Sequence, residues 1–155
     1  MPSANHSMDT TDRELLNRIQ SDFPLCARPY QAIAKDMNLT EKEVLKRLVK
    51  LRTSGIIRRI GGNFAPDKLG YTSTLCAARV PENKIDLFAS TVNRYPGVTH
   101  NYLRKHDYNI WFTFISPSMK EIKKNLTQIS DETGITDILN LPATKVFKIK
   151  AHFDL

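Results

Sequence analysis

The most unusual stretch of the chain is His100-Asn101-Tyr102-Leu103-Arg104-Lys105-His106-Asp107-Tyr108-Asn109-Ile110-Trp111-Phe112. Side chains on a strand repeat with a period of two, so His100, Tyr102 and Arg104 share one face. His106 extends the row if the strand continues into the hairpin. A ridge of imidazole, phenol and guanidinium is costly to bury without partners. The three side-chain types differ in what they can do. Histidine titrates near neutrality and can give a proton, arginine grips a carboxylate in a fork, and tyrosine offers a hydrogen bond from a flat apolar body. Trp111 falls on the neighbouring strand close to the row, and an aromatic wall beside an arginine suits a flat anionic ligand. An exposed polar strand face with a pH-sensitive contact accounts for the same spacing, and Trp111 and Phe112 also suit a core or an interface. Spacing alone leaves both readings open.

Two weaker basic features accompany the row. A final strand over Thr144 to Phe153 is expected to place Val146, Lys148, Lys150 and His152 on one face, and Phe147, Ile149, Ala151 and Phe153 on the other. A positive strip of this kind holds carboxylates, or guards a solvated sheet edge. Arg58 and Arg59 lie beside Gly61-Gly62 and read equally as phosphate contacts, ligand contacts or solvated charge. No Walker loop, dinucleotide-binding glycine fingerprint, paired metal-ligand motif or Gly-x-Ser-x-Gly elbow occurs, which argues against nucleotide hydrolysis and serine hydrolase chemistry and gives no metal site.

The elements that must carry these residues follow from hydrophobic period. Met1 to Thr10 is polar and aperiodic and reads as a disordered tail, ending where Thr10 or Thr11 caps a helix. That helix uses Leu15, Leu16 and Ile19 and stops near Phe23-Pro24. A second runs from Pro29 through Ile33 and Ala34 to Met37. Thr40 with Glu43 forms a capping box that opens a third, with Val44, Leu45, Leu48 and Leu51 inward and Lys42, Lys46, Arg47, Lys50 and Arg52 outward. Gly55 closes it in a left-handed cap. This is a helix-turn-helix, and Ile56 to Phe64 reads as a small hairpin appended as a wing, so residues 11–65 form one module.

Residues 66–70 read as a linker, and from Tyr71 the period changes. Tyr71 to Val80 reads as a strand, Glu82 to Tyr95 as a helix stopped by Pro96-Gly97, and Val98 to Arg104 and Tyr108 to Ser116 as two strands. Ser118 to Thr133 is a helix closed by Gly134, and Thr136 to Leu141 a short strand. The order is strand, helix, strand, strand, helix, strand plus one extra strand, a ferredoxin-like α+β arrangement over 71–155. Its sheet carries helices on one face and leaves the other open, which calls for a second subunit and at least a dimer.

Composition sets the frame. The 155 residues are 41% hydrophobic and 25% charged, with a net charge of +7. That suits a globular chain with an anionic partner such as nucleic acid or a polycarboxylate. Residues 1–70 hold 12 basic and 8 acidic side chains and residues 71–155 hold 11 and 8, so the charge is not concentrated on the helix-turn-helix. Glu41 and Glu43 also occupy the first turn of its second helix, where base contacts are made, although they equally serve the helix dipole. DNA binding is therefore not the favoured use. Cys26 and Cys76 read as reduced, buried thiols. No apolar run approaches the ~18 residues of a membrane span and no secretory signal is present, so a cytoplasmic protein with no membrane partner is expected.

Residues 11–155 resemble the Lrp/AsnC architecture, a helix-turn-helix joined to a ferredoxin-like ligand domain. More narrowly, Gly55-Ile56-Ile57-Arg58-Arg59-Ile60-Gly61, Leu69-Gly70-Tyr71, and His100-Asn101-Tyr102 with Arg104, His106, Tyr108-Asn109 and Trp111-Phe112 are similar to the sirohaem decarboxylase branch. The resemblance implies removal of carbon dioxide from two acetate side chains of sirohaem, in haem biosynthesis, by an enzyme built from two homologous subunits. It implies His100 as proton donor and His106 as a second candidate or polarising neighbour. Tyr102, Arg104, Asn109, Trp111, Lys148, Arg58 and Arg59 are then substrate contacts. The iron tetrapyrrole is the substrate, haem a conceivable further ligand, and no separate cofactor is implied; a histidine ligating the iron is an alternative to its acting as acid. The rival from another class is an Lrp/AsnC-type DNA-binding regulator sensing haem or sirohaem. A non-catalytic partner subunit, or a homodimer in place of a heterodimer, completes the set.

Overall fold

A computed structural model of the chain describes residues 8–62, 64–148 and 152–155. They divide into two compact units, one ending at Gly62 and including the chain from Lys148, the other running up to Phe147. Of the disordered tail expected over residues 1–10, residues 1–7 lie outside the described residues, whereas Asp9 and Thr10 already cap and open the first helix.

In the first unit α1 (Thr10–Ser21) is opened by Asp9, whose carboxylate accepts the Asp12 N–H at 2.7 Å, rather than by Thr10 or Thr11. A carboxylate at this position satisfies an orphan amide and complements the helix dipole. The second helix, α2 (Pro29–Asp36), begins on proline, whose missing N–H costs nothing at the first turn. Asn38 makes the turn at φ 53, a left-handed conformation that asparagine tolerates. Thr40 then caps α3 (Glu41–Thr53) by accepting the Glu43 N–H at 3.2 Å, as its capping-box spacing predicts. Leu15, Leu16, Ile33, Ala34, Val44, Leu48, Leu51 and Ile57 form the core. Leu45, expected inward, is 41% exposed, because it lies about 100° around the helix from Val44.

Two cations of α3 are held within the unit. Asp12 is fully buried, with Arg47 at 2.6 Å and Lys50 at 3.3 Å; Arg47 also reaches Asp9 at 2.7 Å. Arg47 beside Asp9 holds that carboxyl below its ordinary value.

The described residues do not form the expected wing. No strand occurs among the described residues between Gly55 and Phe64, where only Ile57 is buried. An isolated two-stranded hairpin is marginal in water, and Ile57 is instead drawn onto the helical core. The last strand is a second correction. Residues 142–148 and 152–155 are irregular, while 149–151 lie outside the described residues. The Gln20 side-chain amide bonds both backbone groups of Phe153, at 2.6 and 3.1 Å, so the end of the chain runs along α1.

The second unit is a four-stranded antiparallel sheet in the order β2-β3-β1-β4. Its strands are β1 (Thr72–Ala78), β2 (Val98–Leu103), β3 (Ile110–Ser116) and β4 (Ile138–Leu141). The crossovers are α4 (Ile85–Asn93) and α5 (Met119–Thr133). This is the expected ferredoxin-like order. Ile110, Phe112 and Phe114 alternate inward from β3 and pack with Cys76, Phe88, Val92, Ile122, Leu126 and Ile129. The described helices of this unit leave the opposite face open: Leu75, Leu139 and Leu141 are each 36–42% exposed. Among the described residues no helix is long and apolar enough to cross a membrane.

Candidate functional site

The site is built on the uncovered sheet face. Tyr102 pairs with Trp111 and His100 with Thr113 across β2 and β3, while Leu75 and Ala77 pair with Thr113 and Trp111 from the other side. These pairs share one face because residues directly opposite on neighbouring strands point the same way. The register shifts by one residue between Val98 and His100. Without that bulge His100 and Tyr102 would face the helices. Gly97 leads into it with no room for a side chain, since a Cβ there would lie 2.0 Å from the Ile115 carbonyl oxygen.

The expected row exists. His100 stacks on Tyr102 at 5.9 Å with an interplanar angle of 27°, and its Nδ1 lies 3.0 Å from the Thr99 hydroxyl. Arg104 sits over two rings, 5.9 Å from the centre of Tyr102 and 5.8 Å from that of Trp111. Its guanidinium has no carboxylate partner among the described residues. Trp111 is oriented by its own N–H, which donates to the Tyr108 carbonyl at 2.7 Å. Leu75, Tyr102, Arg104, Trp111, Phe112 and Thr113 line an open depression of about 220 Å³. A flat apolar floor with one unneutralised cation at its edge suits a planar, carboxylate-bearing ligand.

His106 reaches the same place from the hairpin. Its ring stands edge-on to Trp111 at 6.5 Å and stacks on Tyr108 at 6.4 Å, and its Nδ1 accepts the Tyr108 backbone N–H at 3.0 Å. The two histidines thus flank the lining, one against Tyr102 and the other against Trp111.

Asn109 is not placed as the expected ligand contact. Its amide donates to the Val80 carbonyl at 2.8 Å and accepts the Val80 N–H at 2.9 Å, so both ends of the side chain are occupied. Asn101 likewise turns to the helices, donating to Asn93 at 3.0 Å. Arg58, Arg59 and Lys148 are exposed members of the other unit. The structure therefore brings together His100, Tyr102, Arg104, His106 and Trp111.

Sequence reasoning missed Leu75 and Thr113 in the floor, Thr99 beside His100, and the group around Tyr108. The Tyr108 hydroxyl donates to Asp137 at 2.8 Å, Arg79 lies over the Tyr108 ring at 5.2 Å, and Arg79 pairs with Asp137 at 3.1 Å. The hydrogen bond to Asp137 holds the phenol above the usual tyrosine value. Only the strand order β3-β1-β4 brings these three residues, far apart in sequence, to one end of the sheet.

A helix-turn-helix together with a ferredoxin-like unit defines the Lrp/AsnC-like class. Residues 68–148 match the family model of the AsnC-like ligand binding domain, and residues 12–58 match that of the siroheme decarboxylase NirDL-like HTH domain. The siroheme decarboxylase alpha subunit of Desulfovibrio desulfuricans is 56% identical over 146 residues, covering 94% of this chain and 84% of the relative. The siroheme decarboxylase NirG subunit of Stutzerimonas stutzeri is 36% identical, covering 94% of this chain and 99% of the relative. Among solved structures, the siroheme decarboxylase NirDL in co-complex with an iron-uroporphyrin III analogue superposes with a TM-score of 0.67 at 30% identity. That match covers 91% of this chain and 48% of that one, so this chain spans about half its length. The chain belongs to the sirohaem decarboxylase family.

Proposed function

We propose that this chain is a subunit of a sirohaem decarboxylase, a carboxy-lyase that removes carbon dioxide from two acetate side chains of sirohaem in haem biosynthesis. The observation that carries the reading is Arg104, held over Tyr102 and Trp111 at the edge of an apolar depression with a histidine on either side. The iron tetrapyrrole is the substrate. Its flat ring lies against Trp111 and Tyr102, and Arg104 anchors a carboxylate in a charge-assisted pair.

Each acetate loses its carboxylate as carbon dioxide and keeps the electron pair, which the conjugated ring delocalises until a proton arrives and the CH2 group becomes methyl. A positioned acid speeds such a transfer by about 10²–10⁴. His100 is the first candidate donor and His106 the second. No redox partner is required, since the step exchanges one carbon dioxide for one proton.

A depression of about 220 Å³ falls below the roughly 300–1,000 Å³ of a drug-sized ligand site. A tetrapyrrole on this face is therefore only partly enclosed by the chain. A homologous subunit laid over the open sheet completes the enclosure, and the heterodimer is the assembly that fits relatives described as distinct subunits. A cytoplasmic setting accords with two reduced cysteines.

Anaerobic incubation with sirohaem, alone and with a co-expressed homologous subunit, followed by mass spectrometry of the extracted tetrapyrrole, tests the proposal. Stepwise loss of two carbon dioxide molecules supports it. Tight binding without loss under either condition overturns it in favour of a sensing regulator.

A further inference from the structure

The group of Arg79, Tyr108 and Asp137 is exposed, with relative side-chain exposures of 55% for Arg79 and 45% for Asp137, so its ion pair adds little to stability. Yet three side chains from three segments converge on one ring. Arg79 follows β1, Asp137 precedes β4, and Tyr108 precedes β3. Arg79 stacks on the Tyr108 ring, pairs with Asp137, and comes within 4.0 Å of Asp107 on the same hairpin. Asp137 accepts the Tyr108 hydroxyl. The Arg79 N–H also donates to the Asp137 carbonyl at 3.0 Å, which fixes the two ends of the bracket to each other. What the bracket holds still is the residue whose backbone N–H donates to His106 Nδ1.

That hydrogen bond selects a tautomer. A neutral imidazole has one N–H and one lone pair in the ring plane, and a nitrogen that accepts from a backbone amide carries the lone pair. The proton of His106 is then on Nε2, the nitrogen left free of the hairpin backbone. We infer that Arg79, Tyr108 and Asp137 are positioning residues that hold His106 in its Nε2–H tautomer against Trp111, ready to give the Nε2 proton to the carbon that loses carbon dioxide, the Tyr108 N–H stabilising the imidazolate left behind until solvent reprotonates it. This deepens the decarboxylase reading and rests on it for the identity of the proton acceptor. Asn109 serves the same end from the other side of the hairpin, tying it to Val80 and closing it through the Arg104 N–H, which donates to the Asn109 carbonyl at 2.7 Å.

The test uses the full chain labelled with ¹⁵N-histidine, and its complex with the homologous subunit for turnover. In the wild type the His106 Nδ1 resonance is expected at the position of an unprotonated nitrogen and Nε2 at that of a protonated one. Tyr108→Phe keeps the backbone N–H and the ring but loses the bond to Asp137. It is expected to mix the tautomers and lower kcat about ten- to a hundredfold, as sub-ångström to ångström misplacement does, with KM for sirohaem unchanged. Asp137→Ala should match it, and Asp137→Asn, which keeps an acceptor for the hydroxyl, should recover part of the rate. Thermal melting identifies any variant that fails to fold, and the Asp137 pair then decides. A wild-type Nδ1–H tautomer overturns the inference, as do variants with unchanged nitrogen spectra and kcat. A folded wild-type complex without turnover overturns the decarboxylase reading instead, and the nitrogen spectra then decide the bracket by themselves.

Discussion

The side-chain amide of Asn109 bonds both backbone groups of Val80, donating at 2.8 Å and accepting at 2.9 Å. Val80 is 4% exposed, so water cannot take over either bond. Asn109→Ala therefore leaves a buried donor and acceptor unpaired, at about 1–3 kcal/mol each at most. The expected result is a lowered Tm together with a lowered kcat. A direct substrate contact would instead raise KM with no change in melting.

Arg104 is the one guanidinium among the lining residues of the depression. A hydrogen bond to a charged group contributes about 1.5–3 kcal/mol, so Arg104→Gln should weaken sirohaem binding roughly ten- to a hundredfold. Absorbance titration of the complex checks it, and unchanged affinity would place the carboxylate anchor elsewhere.

Of the α3 cations Lys46, Arg47 and Lys50 that a DNA-binding role would use, Arg47 and Lys50 are paired with the buried carboxylate of Asp12. Arg47→Ala strips Asp12 of its nearer partner and should cost about 3 kcal/mol of stability. The hydrogen bond from Arg47 to Asp9 also lowers the Asp9 carboxyl below its ordinary 3.8. A depressed acid contributes stability above that ordinary value and loses it as pH falls through the lowered one. Acid melting curves should therefore show the wild type losing its advantage over Arg47→Ala below about pH 4.

Tyr108 gives the opposite sign. Its hydrogen bond to Asp137 raises the phenol above the ordinary 10.0. Its stabilising effect is complete below that ordinary value and disappears as pH rises through the raised one. Burial also raises the Tyr95 phenol, so ultraviolet difference titration should show late-ionising tyrosines in the wild type, one fewer in Tyr108→Phe, and the Tyr108 contribution shifted toward 10 in Asp137→Ala.

Cys76 is fully buried and its thiol is pushed up to about 12 by that burial, whereas Cys26, expected to be buried as well, is exposed. Thiolate is the reactive form. Alkylation of the native protein should label Cys26 alone, and Cys76 only after denaturation.

Particular residues explain how far the sequence could be read. Strand period two placed His100, Tyr102 and Arg104 together, and the short connection from Arg104 to Tyr108 set Trp111 beside them; both are local facts. Thr40 with Glu43 and the left-handed Gly55 were legible for the same reason. The wing and last strand failed because alternation supplies a pattern without supplying a partner: Phe147 is 87% exposed, and Gln20 takes the backbone of Phe153. The amide of Asn109 and the bracket of Arg79 and Asp137 depend on which strands are neighbours and in what register. No spacing along the chain encodes that.

The most direct measurement is the mass spectrum of the tetrapyrrole recovered from a single anaerobic turnover by the complex carrying His100→Ala or His106→Ala in this chain alone. Protonation by a histidine of this row predicts that at least one variant binds sirohaem, remains assembled and stalls before the second carbon dioxide is lost. Full conversion to didecarboxysirohaem at the wild-type rate by both variants would contradict it.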